Sequence, residues 1–217
     1  MRRMLTLAAL GLGLVLGPAA AHAVMVTTTY TGDNVVSAEY CQGAVCTNFP
    51  AGANGSDWRN ADVFVVDLAA GAYTFLFEVT NAPSPTQTSL NPGGFLAQIA
   101  FGGDTLLTSA SWEVSLDGVN WIAATEWAQN DGSNADPYDV WWENNSNQSI
   151  AGISTDAEWL WTMNNFAVPR CSDTVTSGCT DEQAFFRVQF SIPEPVSLAL
   201  LGLGLVGLGL SRRRLRA

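Results

Sequence analysis

The 217-residue sequence contains no lysine and a single histidine, His22. Residues 24–192 contain neither, and they hold three arginines against 19 acidic residues, a net charge of −16. This segment therefore has no His general base, no Ser–His pair and no Schiff-base lysine. It also lacks the basic patch with which proteins neutralise nucleic-acid phosphates. We expect no nucleic-acid partner and a restricted catalytic repertoire.

Most of the arginines lie at the two ends of the chain. Arg2 and Arg3 precede an apolar stretch over residues 5–17, and an A-x-A cleavage site follows at Ala21 and Ala23. This arrangement is typical of a secretory signal peptide. We therefore predict a signal peptide over residues 1–23, with signal peptidase and the export machinery as partners.

The C-terminus has three parts in a fixed order. Pro193, Glu194 and Pro195 precede an uncharged stretch, residues 196–210, and a basic cluster formed by Arg212, Arg213, Arg214 and Arg216 ends the chain. Fifteen helical residues span about 22 Å, less than the ~30 Å hydrocarbon core, but arginine side chains can snorkel to the interface. The basic cluster stays cytoplasmic under the positive-inside rule, so residues 24–192 lie outside.

The last 25 residues resemble the PEP-CTERM sorting signal of Gram-negative bacteria, on the Pro-Glu-Pro motif, the helix SLALLGLGLVGLGL and the terminal SRRRLRA. The resemblance implies recognition by an exosortase, removal of the tail near the motif, and delivery to the cell surface or the exopolysaccharide matrix. Until then the C-terminal helix anchors the protein in the inner membrane. The alternative is a simple C-terminal membrane anchor. Such tails occur on unrelated folds, so the resemblance leaves residues 24–192 unassigned.

The middle of the chain shows two-residue alternation of apolar and polar positions, which is typical of strands. Short segments with frequent Gly, Asn, Asp and Pro between them favour a single all-β domain over residues 24–192, a β-sandwich or jelly roll between signal peptide and sorting helix. A hairpin is predicted over residues 112–123, turning at Asp117-Gly118. The predicted strands are residues 62–68, 73–79, 95–101, 111–117, 157–162 and 184–192.

The four cysteines fall into two pairs, Cys41 with Cys46 and Cys171 with Cys179. In an exported chain the expected outcome is two disulfides. Three connectivities are possible, and local pairing is the simplest. A structural zinc site is the alternative, but only the first pair reaches the edge of the usual C-x₂₋₄-C spacing and no His is available.

Eight tryptophans lie in residues 24–192. Aromatic rings suit stacking on sugars, and Trp127, Trp141 and Trp142 lie beside polar loop residues whose side chains can bind hydroxyl groups. These three are the candidate glycan-binding residues, with core packing as an equal alternative. Packing is favoured for Trp112, Trp121, Trp159 and Trp161.

A loop rich in oxygen ligands covers residues 129–139. Asp131, Asp136 and Asp139 form a weak Ca²⁺ candidate, since Ca²⁺ takes several oxygen ligands. The spacing is not that of an EF-hand, and a solvated turn is the favoured interpretation. We therefore expect no cofactor, with Ca²⁺ as the one exception to examine.

These observations favour a non-enzymatic surface or matrix protein that associates with exopolysaccharide and possesses a glycan-binding face. One alternative is a secreted carbohydrate-active hydrolase that uses an Asp/Glu pair, with Glu113, Glu126, Glu143 and Glu158 near tryptophans. The other is a structural, Ca²⁺-dependent matrix component. A coplanar row of exposed tryptophans favours binding, and two facing carboxylates in a groove favour hydrolysis.

Overall fold

The structure is a computed structural model, and it describes residues 23–33, 35–54, 57–81, 93–132, 148–162 and 183–194. Ala23–Glu194 forms one compact unit. Within the described residues the regular secondary structure consists of twelve strands. They are β1 (Val24–Asp33), β2 (Val35–Gln42), β3 (Val45–Asn48), β4 (Asp62–Leu68), β5 (Gly71–Thr80), β6 (Gly94–Phe101), β7 (Asp104–Leu107), β8 (Glu113–Ser115), β9 (Ile122–Ala123), β10 (Thr125–Gln129), β11 (Glu158–Trp161) and β12 (Gln183–Ile192).

The strands form two antiparallel sheets. Sheet I has the order β10-β11-β6-β1-β4, with β7 also paired to β6, and sheet II has the order β3-β2-β5-β12-β8-β9. This arrangement confirms the all-β prediction and is compatible with a β-sandwich. The predicted signal peptide and sorting helix lie outside the described residues. Among the residues that the structure describes, no helix is long and apolar enough to span a membrane.

Buried and more exposed side chains alternate along the two central strands of sheet II, β5 and β12. In β5 the inward positions 73, 75, 77 and 79 are buried, and in β12 the even positions from 184 to 192 are buried. The two strands pair along their full length, from Gln183 opposite Thr80 to Ile192 opposite Gly71. The predicted strands 73–79 and 184–192 are thus confirmed, and each is slightly longer than the alternation indicated. The predicted strands 62–68 and 95–101 are also confirmed.

The main core lies between the sheets and is strongly aromatic. Phe95 of sheet I stacks on Phe186 of sheet II, with ring centroids 4.8 Å apart, and it also contacts Phe77 at 4.8 Å. All three side chains have at most 1% exposure. Each buried phenylalanine contributes roughly 1.5–3 kcal/mol relative to an exposed one, so these rings are a principal link between the sheets.

A second cluster covers the outer side of sheet I. Leu96 follows Phe95 and points to the opposite face, where residues from the 57–61 and 148–157 segments bury it. The Asn130 side chain holds this cover in place, because its Oδ1 accepts from the Ile150 N–H at 2.7 Å and its Nδ2 donates to the Ile153 carbonyl at 3.1 Å. Members of the second cluster are Trp58, Leu96, Ala128, Ile150, Ile153, Ala157 and Trp159.

The predicted hairpin at residues 112–123 forms with a longer connection than a two-residue turn. Glu113 pairs with Ala123 and Val114 with Ile122, so residues 116–121 connect the strands and the predicted strand 111–117 shrinks to three residues. The Asp117 carboxylate organises this connection by accepting from the N–H groups of Asn120 and Val119 at 2.7 and 2.8 Å. These bonds, with that from Asn120 the strongest cause, hold the pKa of Asp117 well below its usual range. Gly118, with φ of 70°, supplies the left-handed conformation.

Candidate functional site

The last strand of the domain runs directly into the predicted sorting motif. Ile192 ends β12 opposite Gly71, and its side chain is only 2% exposed. Pro193 and Glu194 follow immediately, and both are exposed. The motif therefore begins at the surface of the folded domain, with no intervening linker.

Both ends of the described domain lie at the same end of the two sheets. Val24 pairs with Leu68 in sheet I, and Ile192 pairs with Gly71 in sheet II. Leu68 ends β4 and Gly71 begins β5, and the Tyr73 hydroxyl stabilises the short connection between them by donating to the Ala69 carbonyl at 3.0 Å. The first strand begins and the last strand ends beside this connection. We call this the junction end of the domain.

Residues 191–214 match the family model described as the PEP-CTERM protein-sorting motif, which supports a PEP-CTERM protein and leaves the central domain unassigned. The match supports export and targeting to an exosortase, with the cell surface or extracellular space as destination. Neither the curated proteins nor the solved structures give a match to this chain.

The matched region contains all the predicted sorting residues. Pro193 and Glu194 are described and exposed. Pro195, Arg212, Arg213 and Arg214 belong to the match but lie outside the described residues. Of the predicted signal-cleavage pair, Ala23 is exposed directly before β1, and Ala21 lies outside the described residues.

Cys41 and Cys46 form a disulfide across the β2–β3 hairpin, where they are direct register partners. This is the local pairing that the sequence predicts. The Glu39 carboxylate lies within 4.8 Å of both sulfurs, but thiols joined in a disulfide are not available as thiolate ligands. Cys171 and Cys179 lie outside the described residues, so their pairing stays a prediction.

Three of the four tryptophans expected to pack are almost fully buried: Trp112, Trp159 and Trp161 have 0–2% exposure. Trp159 and Trp161 share one strand face by alternation, yet they pack in different clusters, Trp159 outside sheet I and Trp161 in the main core. The Trp161 ring reaches the main core by lying over Gly93, where a Cβ would come within 2.1 Å of it.

Some of the candidate ligand-binding residues belong to the described part of the chain, and the others do not. Trp127 is half-buried and packs against the main core, so it offers at most part of its ring to a glycan. Asp131 is exposed. Trp141, Trp142, Asp136 and Asp139 lie outside the described residues, so their glycan and Ca²⁺ roles stay predictions.

Three of the four acids noted for the alternative hydrolase lie on described strands. Glu113 lies in sheet II, where its Oε2 accepts from the Arg187 Nε–H at 2.6 Å. Glu126 lies in sheet I, where its Oε1 accepts from the Ala110 N–H at 2.5 Å. Glu158 is in β11, and Glu143 lies outside the described residues. Glu113 and Glu126 are thus occupied in structural bonds in different sheets.

A groove of about 660 Å³ extends from the outer face of sheet II around the edge of β2, and no sequence pattern predicted it. Ser37 and Glu39 of β2, Leu76 and Glu78 of β5, and Phe185 of β12 line its outer-face part, and the part at the edge of β2 is lined by residues that include Tyr30, Phe49, Phe77 and Asp62. Glu78 of β5 pairs with Ser37 of β2 on one side and with Phe185 of β12 on the other. The three neighbouring strands therefore present one continuous surface. The available signal was the presence of Leu76 and Phe185 at positions that alternation assigns to solvent.

Beside the groove, Arg187 and Trp121 form a stacked pair. The guanidinium carbon lies 4.2 Å from the centroid of the Trp121 ring, and the Nε–H donates to Glu113. The side chain of Arg187 is 26% exposed. This half-buried arginine is therefore already neutralised by Glu113 and lies over an aromatic face.

A buried carboxylate lies at the end of β1 away from the junction end. Asp33 is 6% exposed, and its Oδ1 has no hydrogen-bond partner among the described residues. Burial raises the pKa of Asp33 to about 7, against an opposing effect from the positive charge of Arg59. The folded protein therefore binds a proton at Asp33 more tightly than the unfolded chain does.

Proposed function

We propose that this protein is an exosortase-processed, non-enzymatic component of the cell surface that associates with exopolysaccharide. The observation that carries the proposal is the PEP-CTERM motif at residues 191–214, which begins at the end of the last core strand. The absence of Lys and His from residues 24–192 supports a non-enzymatic role, since it removes the commonest general bases and nucleophile activators.

The junction end explains how one domain accommodates both processing steps. Val24 and Ile192 lie on either side of the connection between Leu68 and Gly71. The predicted signal-cleavage site before Val24 and the motif after Ile192 thus both adjoin strand ends at the junction end.

The sorting step is tested by replacing Pro193, Glu194 and Pro195 with alanines in a host that contains an exosortase. Since Pro193 and Glu194 are exposed, their replacement leaves the domain folded. We expect the variant to accumulate in the membrane with its C-terminal arginines, whereas wild type is released from the tail. The matched control is Asp104→Ala, which removes an exposed acid from β7 and leaves processing unchanged.

The comparison is read by immunoblotting membrane and surface fractions, with an exosortase-deficient host as reference. Equal processing of the triple variant and the wild type would contradict recognition through the motif. Equal processing in the exosortase-deficient host would contradict the identity of the processing enzyme.

A further inference from the structure

We propose that the groove on the outer face of sheet II binds a polysaccharide that contains cationic amino sugars. The inference rests on the proposed function, which places the domain in exopolysaccharide, and it names the site and the ligand class. The site residues are Glu39, Glu78, Leu76 and Phe185. None of the tryptophans that the sequence suggested as glycan contacts is required.

The floor of the groove suits the apolar face of a sugar ring. Leu76 and Phe185 are half-buried at outward positions of β5 and β12, the two central strands of the sheet. Their diagonal placement on neighbouring strands brings apolar surface into the middle of an otherwise polar face. An aromatic ring beside an aliphatic side chain packs against sugar C–H groups, while neighbouring polar groups bind hydroxyls.

The charges along the groove select the ligand. Two acids, Glu39 and Glu78, line the outer-face part of the groove, Asp62 of β4 lines the part at the edge of β2, and no arginine is among the described lining residues. The nearby Arg187 is paired with Glu113. With a net charge of −16 over residues 24–192, the domain repels polyuronates and attracts ammonium groups.

Glu78 is held in position by neutral neighbours. The Ser37 hydroxyl donates to its Oε2 at 3.4 Å, and the Gln183 side-chain amide donates to its Oε1. Neither contact neutralises the carboxylate, so its charge remains available to a bound cation. Glu39 lies diagonally across the same face, opposite Leu76 rather than Glu78. The two carboxylates can therefore contact successive charged sugars along a chain.

The neighbouring edge of β2 adds main-chain groups to the groove. The Phe49 N–H donates to the Ala38 carbonyl at 2.8 Å, and the next residue, Pro50, has no N–H to continue the pairing. By alternation, the main-chain groups of Val36 point to the same open side as those of Ala38. Val36 and Pro50 both line the groove, so sugar hydroxyls can reach this edge.

The groove is remote from the sorting motif. Phe185 lies seven residues before Ile192 in one continuous strand, a separation of about 23 Å. A polysaccharide in the groove therefore does not occupy the junction end. Binding is compatible both with the tethered precursor and with the released protein.

The test measures the affinity of the purified protein, with its tail either retained or removed, by isothermal titration calorimetry at mildly acidic pH. The probes are a partly deacetylated chito-oligosaccharide, its fully N-acetylated counterpart and an oligo-uronate of equal length. We expect the deacetylated oligomer to bind at least tenfold more tightly than either of the others, with affinity falling as salt rises. No binding, or equal binding of all three, overturns the proposal.

Variants locate the site. Glu78→Gln and Phe185→Leu should each weaken binding of the deacetylated oligomer about fivefold or more. Asp104→Asn removes the same charge from β7 of sheet I and should leave affinity within twofold. If Glu78→Gln and Asp104→Asn weaken binding equally, the attraction is general and the groove site is wrong. An alternating Arg–Val peptide that binds the groove more tightly than the oligosaccharide also overturns the ligand class.

This experiment does not depend on sorting, because binding is measured on purified protein. Failure of binding with normal tail removal rejects the groove and retains the proposed sorting. Failure of tail removal with normal binding rejects the sorting and leaves the groove as a glycan site.

Discussion

The outer faces of the two sheets differ in what covers them. At β6 and β11, sheet I is buried on both sides, because the 57–61 and 148–157 segments place Trp58, Ile150 and Ile153 over Leu96 and Trp159. The outer face of sheet II leaves Leu76, Glu78 and Phe185 half-buried along an open groove. Aromatic residues thus have different roles on the two faces: they close sheet I, and they line a ligand-sized surface on sheet II.

The largest effect is expected from removing the cover of sheet I. Trp159→Ala deletes a side chain with 2% exposure that contacts Trp58 edge to face at 5.9 Å. We expect a loss of about 3–5 kcal/mol in the free energy of unfolding, measured by urea denaturation. Leu76→Ala on the open face is the matched control and should cost under about 1.5 kcal/mol, since its side chain is half-buried. Similar losses of unfolding free energy in the two variants would contradict the difference in burial between the outer faces of the two sheets.

The second largest effect is expected in the pH dependence of stability, where the buried carboxylate of Asp33 should differ from exposed carboxylates. Because its folded pKa is raised to about 7, its contribution to stability is complete below the unfolded pKa and is lost as pH rises from about 4 through 7. Asp33→Asn should therefore stabilise the protein at pH 8 by about 2–4 kcal/mol and flatten the pH dependence over that window. The measurement is the free energy of unfolding at pH 4, 6 and 8.

The control for this pH effect is Asp67→Asn, which removes an exposed acid from β4. This control measures how much stability is gained by removing one negative charge from a domain with an excess of acidic residues. If Asp67→Asn stabilises at pH 8 as much as Asp33→Asn does, burial of Asp33 is not the cause.

A smaller effect is expected at the edge of sheet II. Replacing both Cys41 and Cys46 by serine opens the short hairpin loop and should cost roughly 2 kcal/mol by the loop-entropy relation. Because Glu39 lies beside this disulfide, affinity for the deacetylated oligosaccharide should fall as well. An unchanged affinity in the folded variant would show that the disulfide does not position Glu39.

The sequence was sufficient where the signal is contiguous or strictly alternating. The sorting motif consists of neighbouring residues, and β5 and β12 alternate along their full length, so all three were predicted correctly. β1 was missed because Thr28, Thr29 and Thr31 are buried although polar, the last two under loops far along the chain. No local pattern indicates that cover.

The groove was missed for a related reason. It depends on the register that brings Ser37, Glu78 and Phe185 together from three strands, and on the point at which Pro50 ends the pairing of β3 with β2. The tryptophan content indicates binding residues in polar loops, whereas the described aromatic residues that line the groove are three phenylalanines and a tyrosine. Composition indicates which chemistry is available, but only the pairing of strands places it.

We propose that this domain is released at the cell surface after processing at both ends. The most direct measurement is the intact mass of the surface-released protein, supported by sequencing of its terminal peptides. We expect a chain that starts at Val24 and lacks Arg212, Arg213, Arg214 and Arg216. Recovery of the surface form with this arginine cluster still attached would contradict it.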